Sequence, residues 1–102
     1  MKKGAYDMPK DESSIALYEA VLTLKTVDEV AAFFDDLCTI REIQDMSQRF
    51  EVALLLNDGK NYGEISGQTG ASSATISRVN RCLHYGKNGY KTVIKYLESE
   101  TK

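Results

Sequence analysis

Histidine and proline each occur once in the 102 residues, and cysteine twice. A lone histidine, His84, cannot assemble a metal site or a catalytic triad. Cys38 and Cys82 lie far apart with no CxxC spacing, so neither a zinc site nor a disulfide framework is expected. Both read as buried free thiols. No nucleophile–base pair, metal-ligand cluster or phosphate-cradling glycine loop is visible, and Gly59 and Gly63 are helix punctuation. The chain therefore does not read as an enzyme. No run approaches the ~18 apolar residues of a membrane span. Met1-Lys2-Lys3 resembles a basic leader, but Gly4-Ala5-Tyr6-Asp7-Met8-Pro9 supplies no apolar region after it. A cytoplasmic protein is expected. There is no internal repeat, low-complexity tract or convincing strand.

What is present fits one soluble domain. Hydrophobic residues make up 42% and charged residues 27% of the chain, which argues against disorder. A monomer of this size buries limited apolar area, so oligomerisation is an expected source of extra stability. The net charge of −2 argues at first against a nucleic-acid partner. Its distribution argues the other way. Residues 1–59 carry six basic and twelve acidic side chains, whereas residues 60–97 carry Lys60, Arg78, Arg81, Lys87, Lys91 and Lys95 against Glu64 alone. A local basic segment attracts phosphates even when the whole chain is acidic. Chance asymmetry on a solvated face explains the charge equally well, so charge alone decides nothing.

Residues 1–12 are polar and hold Pro9; they read as a flexible N-terminal arm ahead of a single helical domain over residues 13–102. That domain reads as about six short helices, an all-α fold. Ser13 or Ser14 caps the first, ahead of Ile15, Leu17, Tyr18, Val21 and Leu22. Thr26 with Glu29, Thr39 with Glu42 and Asn61 with Glu64 share capping-box spacing. In that motif a side-chain oxygen accepts from an orphan N–H while the glutamate reaches back to the cap N–H. The second helix puts Val27, Val30, Ala31 and Phe34 on one face, and the Phe33-Phe34 pair reads as core or dimer interface. The helix from Thr39 is the longest, ending near Asn57 with Gly59 as the break. Val52, Leu55 and Leu56 widen its apolar face beyond one stripe, which calls for burial on most sides and hence a partner subunit. The last helix spans roughly residues 89–99, with Tyr90, Val93, Ile94 and Leu97 at i, i+3, i+4 and i+7.

Residues 62–85 read as a helix-turn-helix. Ile65 is the buried residue of the first helix, and Ser66 and Gly67 are small where the helices approach. Gly70 tolerates the left-handed backbone of the turn, and Ala71 tucks in after it. Ile76, Val79 and Leu83 bury one face of the second helix. Its opposite face carries Ser73, Ser77 and Arg81, spaced by four. Short side chains admit the backbone to the major groove, and Arg81 can bond bidentately to guanine or phosphate. The helix N-terminus also favours phosphate. Lys87, Lys91 and Lys95, again spaced by four, are either a solvated stripe or a second approach to backbone phosphates.

From Thr39 to Leu83 the sequence resembles the Trp repressor family, and more closely the uncharacterised Trp-repressor-related proteins of Gram-positive bacteria. Gly70-Ala71, Ala74-Thr75-Ile76-Ser77-Arg78 and the Arg49 helix leading to Gly59 carry the resemblance. It implies an intertwined homodimer bound to double-stranded DNA, with two recognition helices about 34 Å apart on a near-palindromic operator. Some base contacts would run through water. It also implies DNA-facing roles for Ser72, Ser73, Ala74 and Ser77, phosphate contacts from Ser66 and His84, and an effector pocket built on Thr39, Arg49 and Arg78. Arg78 is left with three roles, in the pocket, on a phosphate or in an intersubunit ion pair; Arg49 could equally pair with Asp45 or with an acidic side chain of another subunit. His84, near a helix end, also suits the helix dipole. No cofactor is expected beyond a small-molecule co-repressor, which the pattern admits. Tryptophan fits poorly as that co-repressor. Val79 stands where the family has glycine and Cys82 where it has the serine that meets the amino group, and the Gly59–Glu64 connection is about one residue shorter.

The function expected is a sequence-specific DNA-binding transcriptional regulator, a repressor. The alternative is a helical protein-interaction module that keeps the fold without DNA binding, which the acidic N-terminal half favours.

Overall fold

The computed structural model describes residues 11–100. Among them six helices and no strand occur: α1 (Glu12–Leu22), α2 (Val27–Leu37), α3 (Ile40–Asn57), α4 (Tyr62–Thr69), α5 (Ser73–Tyr85) and α6 (Gly89–Glu100). The all-α reading holds, element for element. The chain divides into two compact units, Met1–Ile43 and Gln44–Lys102. The expected arm lies outside the described residues up to residue 10; Asp11 and Glu12 already belong to α1 and its cap.

In the first unit the cap of α1 is Asp11, not Ser13 or Ser14. Its Oδ1 accepts from the Ser14 N–H at 2.7 Å and from the Ser13 hydroxyl at 3.1 Å. A carboxylate suits this position because the orphan N–H groups and the helix dipole both favour negative charge. The same bonds, the Ser14 backbone N–H first, hold the Asp11 carboxyl below the usual carboxylate range. The cap is therefore complete at neutral pH and weakens only as acid protonates it. Thr26 caps α2 by accepting from the Glu29 N–H at 3.1 Å, but Glu29 reaches back one residue further than a capping box requires, to the Lys25 N–H at 2.8 Å. Phe33 and Phe34 meet edge to face, with centroids 6.2 Å apart. Neither α1 nor α2 buries a single residue. Leu22, Val27 and Leu37 stand 81%, 84% and 51% exposed.

Thr39 and Glu42 open α3 with the expected reciprocal bonds, at 3.1 and 2.8 Å. In the second unit the helix ends in a left-handed Gly59 (φ 84°). The Gly59 N–H donates to the Leu56 carbonyl at 3.0 Å and the Lys60 N–H to the Leu55 carbonyl at 3.1 Å. That pair of bonds is a Schellman ending, which satisfies carbonyls the helix would otherwise orphan. Asn61 and Glu64 then form a complete capping box on α4.

The core of the second unit gathers Val52 and Ala53 from α3, Ile65 from α4, Ala71 from the turn, and Ile76 and Val79 from α5. Leu55, Leu56 and Tyr90 pack against it half-buried. Leu83 and Ile94 are also buried. The α5–α6 link is tightly built. A Cβ on Gly86 would collide with the Cys82 carbonyl. Asn88, at φ 66°, takes the left-handed conformation that its short polar side chain tolerates.

The cysteine expectation is corrected. Cys38 is half-buried and Cys82 exposed, both as free thiols. On α5, Cys82 falls outside the strip that Ile76, Val79 and Leu83 bury, so its neighbours in sequence take the core and it does not.

Candidate nucleic-acid interface

The turn between α4 and α5 is assembled from side chains the sequence supplies locally. Gly70 sits at φ 75° and donates its N–H to the Ser66 carbonyl at 2.9 Å. Only a residue free of a Cβ penalty adopts that conformation cheaply. Thr69 stitches the corner. Its hydroxyl donates to the Ile65 carbonyl at 2.8 Å and accepts from the Ala71 N–H at 3.1 Å. Ala71, 2% exposed, then enters the core as expected. The Gln48 amide of α3 donates to the Thr69 carbonyl at 3.2 Å and ties the turn to the longest helix.

Ser72 caps α5, its hydroxyl oxygen accepting from the Thr75 N–H at 3.1 Å and donating to the Thr75 hydroxyl at 3.1 Å. Its side chain is thus engaged in starting the helix, though still exposed. From there the helix has two distinct sides. Ile76, Val79 and Leu83 are buried. Ser73, Ala74, Ser77, Arg81 and His84 are all exposed, as is Ser66 on α4. Ser73, Ser77 and Arg81 follow one another at single-turn steps, so they share a face. His84 stands beside Tyr85 with ring centroids 6.4 Å apart. A rigid helix carrying short polar groups at its start and a cation further along, with its apolar face anchored behind, can enter a groove without rearranging.

Arg78 leaves that face. With Thr75 from α5 and Asp45, Gln48 and Arg49 from α3, it lines a recess of about 220 Å³. Arg49 is half-buried there. The structure thus brings together two of the three residues assigned to an effector pocket. Thr39 belongs to the first unit, where its hydroxyl accepts from the Glu42 N–H in capping α3. Gln48 and Thr75 were not legible as liners. Their only signal is spacing, Gln48 beside Arg49 and Thr75 three before Arg78, and it becomes informative once the register of α3 against α5 is known. Val79 lines no part of the recess and lies in the core at 2% exposure. Among the described residues no group of three His, Cys, Asp or Glu is placed to hold a metal, and no helix is long and apolar enough to cross a membrane.

Comparison with known proteins agrees with this arrangement. The family model for the Trp repressor protein matches residues 12–98. The uncharacterised protein YerC of Bacillus subtilis is 51% identical over 87 residues, 84% of each chain. A crystal structure of a TrpR-like protein from Eubacterium eligens superposes with a TM-score of 0.84 at 50% identity, over 87% of this chain and 92% of that one. A proposed Trp repressor from Staphylococcus aureus gives the same TM-score at 42% identity, over 87% and 89% of the two chains. With a helix-turn-helix between α4 and α5, and with residues 12–98 matched by the family model, this protein belongs to the Trp repressor family.

Proposed function

We propose that this protein is a sequence-specific transcriptional repressor that occupies its operator as a homodimer and reads the major groove with α5. One observation carries the reading: Ser73, Ser77 and Arg81 stand exposed along a helix whose other side, Ile76, Val79 and Leu83, is buried. The first unit supports the dimer. Two helices that bury no residue and expose Leu17, Tyr18, Leu22, Val27 and Leu37 offer an apolar face to a partner. A second copy supplies it and sets two reading helices about one DNA turn apart. A repressor of chromosomal genes works in the cytoplasm, which is where we place it.

The test is a gel shift on genomic fragments across a salt series. Binding is expected to weaken steeply with salt through counterion release. Arg81→Ala should weaken binding by about tenfold or more, for the ~1–3 kcal/mol of a bidentate base contact, and leave the melting temperature unchanged. No binding at any salt would favour the interaction module, whose support is the acidic residue excess of the N-terminal half. Unfolding of the Arg81→Ala variant would move that arginine to a structural role.

We also propose that L-tryptophan is not a tight ligand. The support is Cys82, which stands where the resemblance places a serine against the amino group. Cys82 supplies no strong acceptor for an ammonium group. Isothermal titration is expected to show no micromolar binding; a micromolar Kd would overturn this.

A further inference from the structure

We propose that α6 carries a second DNA contact, in which Lys91 and Lys95 neutralise backbone phosphates flanking the groove that α5 reads. The inference rests on the DNA-binding reading above and extends it to a helix outside the helix-turn-helix.

The first support is charge. From Ile65 to Leu97 the chain holds Arg78, Arg81, Lys87, Lys91 and Lys95, and no carboxylate at all. Lys91 and Lys95 are exposed, and neither has an ion-pair partner among the described residues. The nearest acid on their own helix, Glu98, accepts from the Asn57 amide at 3.5 Å. Exposed cations that form no ion pair among the described residues are available to an external polyanion.

The second support is the division of α6 into flanks. Ile94 is buried and Tyr90 packs against the core, which fixes the inward side. Val93 and Leu97, 45% and 43% exposed, lie on one flank of Ile94, one turn apart. Lys91 and Lys95 lie on the other, also one turn apart. At 100° per residue the two flanks diverge by roughly 160°. A protein contact on α6 would take the apolar flank and leave the basic flank open to solvent.

The third support is the tether. Tyr85 ends α5 and Gly89 begins α6, so Lys91 stays within about 17 Å of the end of the reading helix even if the link were fully stretched. A duplex presents one charge per ~1.7 Å of its axis, so that span covers several phosphates. The link itself is shaped by Gly86 against the Cys82 carbonyl and by the left-handed Asn88, and α5 and α6 are in contact. A basic flank held this way needs no ordering step on binding.

The experiment measures log Kobs against log salt on random-sequence duplex DNA for the full chain. Wild type is compared with Lys91→Ala/Lys95→Ala, with Lys91→Arg/Lys95→Arg and with Lys25→Ala as a control for net charge. Two lost phosphate contacts should lower the slope magnitude by about 2, at about 0.9 per contact. The arginine pair should keep the wild-type slope, and Lys25→Ala should leave it unchanged. Helicity and sedimentation mass should match wild type throughout. A double-alanine slope equal to wild type overturns the α6 contact while leaving the α5 reading intact. So does a fall in sedimentation mass, which would assign the lysines to a subunit contact, or an equal loss per charge at Lys25. Wild type with no salt-dependent binding overturns both readings together.

Discussion

Ser77→Glu is expected to weaken DNA binding by about 100-fold or more while leaving the melting temperature within a degree or two of wild type. Ser77 is exposed midway along the polar face of α5. A carboxylate placed there meets phosphates and base-edge acceptors at close range, and like charges juxtaposed in an interface cost several kcal/mol, of which ~2.7 kcal/mol already gives the stated loss. The fold has no reason to object. Glutamate is a better helix former than serine, and an exposed position tolerates it. Ser77→Ala isolates the charge from the lost hydroxyl and should weaken binding only about fivefold, for a net hydrogen bond of ~1 kcal/mol. Fluorescence anisotropy on a selected operator measures both. A glutamate variant binding within about fivefold of wild type would remove α5 from the groove.

The helix-turn-helix was legible in the sequence because its determinants are local. Gly70, Ala71 and the Asn61–Glu64 pair act within a few residues of themselves, and the structure uses each as its chemistry dictates. Helix boundaries were legible wherever one residue could serve as cap. At α1 the sequence points to Ser13 or Ser14, whereas Asp11 takes the cap and starts the helix earlier. The recess could not be read in the same way. Arg49 and Arg78 were identified through a family resemblance, but Gln48 and Thr75 join them only through the register of α3 on α5, which the Gln48–Thr69 bond helps to set. Cys82 was misjudged for a related reason. Its type favours burial, yet three better-placed apolar neighbours on α5 fill the core first. The exposed apolar residues of α1 and α2 were legible as helix faces, because their spacing alone places them there.

Ile76→Ala, one residue before Ser77, is expected to do the reverse. Ile76 is fully buried among Val52, Ala53, Ile65, Ala71 and Val79, the point where α3, α4, the turn and α5 meet. Removing three of its carbons forfeits transfer free energy and leaves a void that close-packed neighbours cannot fill, about 2–5 kcal/mol in comparable cores. Small domains hold only about 5–15 kcal/mol in total. The melting temperature should fall by at least about 10 °C, measured at one fixed chain concentration because association adds to apparent stability. Ile76→Val, which deletes one carbon, should cost about 0.5–1.5 kcal/mol and rank between the two. Below its midpoint the alanine variant should bind DNA close to the wild-type affinity, because the reading face is carried on the other side of the helix. If Ile76→Ala cost under about 1 kcal/mol, α5 would not be anchored by the core described here, and the rigidity on which groove entry depends would be lost with it.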